Sequence, residues 1–204
     1  PGRGPTGSDI TMAQLTVPTA DSGAASGVVQ GRSDANGAGP DWQTTVSWSW
    51  EAGAVPCIQS DLSATTSVDV VSASVSTSTF VTGVMTTYRL KVSLGGDAAN
   101  VYAFAGTPLG DLTMPAAYQT PVFGVDVGGV SPQIYAQIAD AEFDSWLTIG
   151  MTDGSDPNAI SASPGLGLEA WTADAAFSTD NGAVFWMTPS AGPSGSNIVM
   201  AQLT

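Results

Sequence analysis

Apolar and polar residues along this chain alternate with a period of two, and helical spacing is nearly absent. The clearest case is Trp42 to Glu51. There Trp42, Thr44, Val46, Trp48 and Trp50 share one face, while Gln43, Thr45, Ser47, Ser49 and Glu51 share the other. The pattern predicts a half-buried strand. Thr86 to Leu94 is a second, with Tyr88, Leu90, Val92 and Leu94 pointing one way and Arg89, Lys91 and Ser93 the other. Gly95-Gly96-Asp97 then predicts a turn into Asn100–Gly106, making the pair a hairpin. Between Ser60 and Thr79 the phase slips at Val70-Val71, as a bulge would make it slip.

The remaining elements are shorter. A strand is expected at Gly27–Gln30, followed by a loop at Asp34–Pro40. Further strands are expected at Ser131–Ile138, Phe143–Gly150 and Ala183–Met187, with one helical turn within Leu166–Phe177. Residues 108–132 are irregular and rich in Pro and Gly, the composition of a loop that covers a core or carries a function. Turn residues recur about every ten positions, which is the spacing of a sandwich or barrel. The fold class expected is all-β: an antiparallel sandwich, jelly-roll or immunoglobulin-like, with at most one short helix, over residues 1–204 as one domain.

One strand occurs twice. Gly4-Pro-Thr-Gly-Ser-Asp-Ile-Thr-Met-Ala-Gln-Leu-Thr16 and Gly192-Pro-Ser-Gly-Ser-Asn-Ile-Val-Met-Ala-Gln-Leu-Thr204 agree at ten of thirteen positions, at an offset of 188 residues. The differences are Thr6/Ser194, Asp9/Asn197 and Thr11/Val199. Such a repeat is the mark of beads in tandem, the second copy opening the next unit. Two related edge strands within one sheet are the alternative. The assembly residues are then Ile10, Met12, Gln14 and Leu15 with Ile198, Met200, Gln202 and Leu203. A closing strand presents an unpaired edge that recruits others, so deleting 197–204 is expected to leave a folded bead that no longer associates.

Charge narrows the partners. Four basic residues oppose eighteen acidic ones, a net charge of −14, and only 11% of residues are charged where about 25% is usual. That field repels nucleic acid and anionic lipid headgroups. There is no His, which removes imidazole triads and the commonest metal ligand. Cys57 is alone, so the chain forms no internal disulfide or thiolate zinc site. No apolar run is long enough for membrane insertion. The first residues are unlike a signal peptide, so secretion implies a leader removed or far upstream.

Four groups invite chemistry. Trp42, Trp48 and Trp50 on one face could stack on sugar rings, as in a carbohydrate-binding module, or fill a core. Asp140, Glu142 and Asp144 share a face if that stretch is extended, as a carboxylate glycosidase requires, or they guard a strand edge. Asp153, Ser155, Asp156 and Asn158 offer hard oxygen ligands to calcium, the single cofactor considered, though a self-capped turn uses the same residues. Lys91, on the polar face of its strand, is expected to be an exposed amine rather than an isopeptide partner. No phosphate-binding loop, dinucleotide fingerprint or serine elbow occurs, and the chain is not expected to be an enzyme.

Glu142-Phe-Asp-Ser-Trp-Leu-Thr-Ile-Gly150 and Asp180-Asn-Gly-Ala-Val-Phe-Trp-Met187 resemble uncharacterised secreted modules of algae and some bacteria. Those modules belong to large, repetitive extracellular proteins. The resemblance covers residues 88–204, carries no catalytic residues, and implies an extracellular or cell-surface repeat. The function expected is therefore a structural bead of a filament or surface array. Its partner is itself, with glycans as the alternative.

Overall fold

The computed structural model describes residues 13–14, 17–18, 23–33, 40–50, 64–76, 84–95 and 98–204. Cys57 and residues 34–39 of the loop expected at Asp34–Pro40 lie outside the described residues. In chain order the strands are β1 (Ala13–Gln14), β2 (Val17–Pro18), β3 (Gly23–Arg32), β4 (Asp41–Trp50), β5 (Ala64–Ser76), β6 (Val84–Leu94), β7 (Ala103–Gly106), β8 (Leu112–Met114), β9 (Trp146–Leu147), β10 (Ile160–Ala162), β11 (Phe177–Thr179), β12 (Gly182–Trp186) and β13 (Ile198–Leu203). They form two antiparallel sheets, an all-β sandwich as the alternation predicts. In one, β6 carries β5 and β13, and β9 flanks β13 on its far side. In the other the order is β10-β12-β7-β3-β8-β11, with β4 along the whole of β3.

Both sheets feed one core. Val29, Val46, Trp48 and Phe104 from the second sheet meet Leu90, Val92, Ile198 and Leu203 from the first. Trp48 stands edge-on to Phe104, with ring centroids 5.8 Å apart and planes at 81°, a favourable quadrupole arrangement. Gly27 makes the approach possible. A Cβ there would lie 2.1 Å from the Phe104 ring, so only a residue without a side chain lets the ring cross β3. β4 keeps its predicted faces, with Thr44, Val46 and Trp48 buried and Gln43, Thr45 and Ser49 exposed.

Several elements differ from expectation, each for a local reason. β6 and β7 do not form a hairpin, because β7 pairs with β3 and β12 in the opposite sheet. β3 runs ten residues rather than four, through its Gly and Ala positions. Ser131–Ile138 is not a strand: Pro132 opens a helical turn, α1 (Pro132–Tyr135), as proline does at a first helical position. Residues Ala139–Phe143 form a 3₁₀ turn, so only Trp146–Leu147 of the stretch to Gly150 is strand. The phase slip in β5 is real, and its register with β6 shifts between Val70 and Ser72. The helical turn within Leu166–Phe177 is a 3₁₀ turn at Leu168–Ala170.

Candidate functional site

The second copy of the repeated strand is β13, and it lies in the interior of its sheet. It pairs with β6 on one side and β9 on the other, and all six of its residues are buried. The expectation of an unpaired edge on this strand is therefore wrong. Ile198, Met200 and Leu203 enter the core with Ala201 beside them, and each large side chain so buried contributes about 1.5–3 kcal/mol. A register shift between Val199 and Ala201 marks a bulge, which turns consecutive residues inward. The bulge is held from outside by the N–H groups of Thr148 and Gly150, which donate to the carbonyls of Met200 and Val199. Gly150 has φ +82°, and a Cβ there would lie 2.8 Å from Pro193 Cγ. Gly195 and Asn197, both at positive φ, start the strand, and the Asn197 N–H donates to Ser93 Oγ at 3.1 Å.

The polar contacts of β13 are few and specific. Gln202, 2% exposed, donates through Nε2 to the carbonyls of Glu142 (2.7 Å) and Asp144 (2.9 Å). Its Oε1 receives the Arg89 guanidinium at 3.4 Å, which also donates to the Thr152 carbonyl at 3.2 Å. Burial pulls Arg89 below its ordinary pKa, against the opposing pull of Tyr135, Asp153, Glu142 and Asp69. Thr204 is fully buried. Its N–H donates to Ser145 Oγ, and its carbonyl accepts from Ser145 Oγ and the Tyr118 N–H. Asp144 ties this lid together by accepting the N–H groups of Thr120 (2.8 Å) and Val125 (2.7 Å). Burial pushes its carboxyl up to about 7, opposed by those two N–H donors. The irregular stretch from Tyr118 to Thr152 is thus a cover over the repeated strand. Exchanging Gln202 for Leu keeps the bulk but leaves the buried Asp144 carbonyl and the part-buried Glu142 carbonyl without their donor. A loss of roughly 2–3 kcal/mol is expected, checked by urea unfolding.

The first copy meets the same residues. Ala13 and Ala201 both register with Leu90, and Gln14 and Gln202 both register with Arg89. β5 also registers there, through Val68 and Asp69. A strand has two edges, so two of these three share one. β5 holds its edge as far as Val75 opposite Met85 and Ser76 opposite Val84. β13 ends its pairing at Leu203 opposite Tyr88. β2 places Val17 opposite Thr86 and Pro18 opposite Met85, where only the β13 side is open. The two copies therefore address one edge, in one register. Comparison with family models, curated proteins and solved structures finds no match. Ile10, Met12 and Leu15 lie outside the described residues, as does the side chain of Gln14.

The other candidate groups are not brought together as expected. Trp48 is 2% exposed, and its indole N–H donates to the Lys91 carbonyl at 3.4 Å. Trp42 is half-buried against the core and donates to the Arg32 carbonyl at 3.2 Å. Trp48 therefore offers no free ring face to a sugar, and the Trp50 side chain lies outside the described residues. Asp140, Glu142 and Asp144 do not share a face, since the 3₁₀ turn leaves Glu142 exposed and Asp144 buried. In the calcium candidate, Asp153 accepts the Ser155 N–H (2.9 Å) and Asp156 the Asn158 N–H (3.2 Å), a pair of self-capped turns. Among the described residues no group of three His, Cys, Asp or Glu could hold a metal ion. Lys91 is not an exposed amine. It is 7% exposed and paired with the Asp69 carboxylate, and on the same face of β6 Arg89 is covered by the Tyr118–Thr152 segment through the Thr152 carbonyl.

Proposed function

We propose that this chain is a structural bead of an extracellular filament or cell-surface array, with successive beads joined head to tail through the repeated strand. One observation carries the reading: both copies of that strand register with the same residues of β6. A bead that closes its own sheet with one copy carries a second closing strand beyond its own need. Head-to-tail joints do not close on themselves, so they propagate into linear assemblies. The extracellular placement rests on the resemblance of residues 142–150 and 180–187 to secreted repeat modules. Among the described residues no helix is long and apolar enough to cross a membrane.

Electron microscopy of the source organism's surface, labelled with an antibody raised against this chain, tests the proposal. Label spaced regularly along unbranched filaments, or over a surface lattice, is the expected image. Label confined to isolated particles, or to the cell interior, would sink it.

A further inference from the structure

We infer that the β6 edge is a strand-binding slot with two interchangeable ligands in this chain, and that the copy left over closes the same slot on an adjoining copy of this unit in a covalent array. The slot stands on the shared register. That the outside ligand comes from another copy of this chain rests on the array proposed above.

The two ligands can be compared position by position. Ile198, Met200, Ala201, Gln202, Leu203 and Thr204 are all buried, and each has the same residue 188 positions earlier. The groups that fill the core, and the amide that reaches the Glu142 and Asp144 carbonyls, are thus present in both copies. Two of the three differences fall at buried positions. Thr11 corresponds to Val199, 1% exposed, and Asp9 to Asn197, 2% exposed. A hydroxyl in an apolar site and a carboxylate in place of a buried amide both weaken the fit. Asp tolerates the positive φ of Asn197 nearly as well as Asn does. Residues 197–204 are therefore the preferred occupant and 9–16 the second.

Stoichiometry decides how the copies join. Each chain has one slot and two strands that fit it, so exchange between separate chains always leaves one strand over and gains no pairing. A covalent array with a period of 188 residues has one strand per slot and none over. In that phase a bead runs from β3 to β13. Val17 and Pro18 are then the tail of the strand that closes the preceding bead, where they cover Thr86 and Met85 beyond the reach of β13.

Four forms of the chain test this: full length, lacking 1–18, lacking 197–204, and lacking both. By circular dichroism during urea unfolding, the first three should unfold cooperatively, the third at a lower midpoint. The fourth should show no cooperative transition. If the form lacking 197–204 is as disordered as the fourth, the first copy is not a ligand. If the fourth folds alone, there is no slot to fill. Full-length chain, with its spare strand, should then hold the fourth form in a one-to-one complex by light scattering, and the form lacking 1–18 should not. Failure of that complex, with the unfolding results as expected, overturns the second copy as partner and leaves the slot. Loss of the labelled filaments described above would remove the array without touching either result.

Discussion

Trp48→Ala is expected to lower stability by about 3–5 kcal/mol, the usual cost of emptying a large aromatic site in a packed core. Trp48 belongs to β4 in one sheet, packs on Phe104 and donates its indole N–H to the Lys91 carbonyl of the other. Its removal therefore opens a cavity at the contact between sheets and leaves that carbonyl short of a partner. Urea unfolding should show the midpoint falling with little change of slope. The same variant speaks to the sugar-binding alternative. A stacking tryptophan is exposed, and its loss would abolish glycan binding while leaving stability nearly intact. A shift of under about 1 kcal/mol, the scale of exposed substitutions, would show that Trp48 is not the core residue described here.

The second large effect is a loss of stability as pH rises from about 4 to 7. Burial holds the Asp144 carboxyl at about 7 in the folded chain, against its ordinary value of 3.8. Between those values the folded chain binds the proton and the unfolded chain does not. The stabilisation is fully present below the unfolded value and is lost as pH climbs through the folded one. Asp126 is raised by burial and by Glu169, and acts in the same direction. The effect amounts to roughly a few kcal/mol, at about 1.4 per pH unit of separation. Melting temperatures measured from pH 4.5 to 8 should fall along that range. Asp144→Asn should flatten the slope, whatever it does to the absolute values. An unchanged slope would place the titration elsewhere.

How much of this was legible in the sequence differs by element. Period-two patterning located β4 and β6 because each has a face set by core contact, and the Val70-Val71 slip was visible as two adjacent apolar residues. Pairing was less legible. Gly95-Gly96-Asp97 is as compatible with a crossing between sheets as with a hairpin, since a turn does not encode which edge the next strand joins. Ser131–Ile138 misled because Pro132 reads as a strand breaker or a helix opener depending on context. Lys91 misled for a different reason: alternation identifies two faces but not what covers the second. For the site, the repeat was plain and the slot was not. Gln202 meets carbonyls of Glu142 and Asp144 about sixty residues earlier in the chain. The available signal was a glutamine kept among apolar neighbours in both copies.

The central place of β13 also sets an order of events during synthesis. The strand that completes the sheet is the last to be made, and it must insert between β6 and β9, both of which precede it. Until it emerges, a nascent bead has an open β6 edge, the kind of surface that aggregates. In a covalent array the first copy is taken up by the preceding bead, so the edge stays open until the second copy emerges. In a tandem chain each bead would then close as its successor begins. A growing array would carry at most one unfinished sheet, at its newest end.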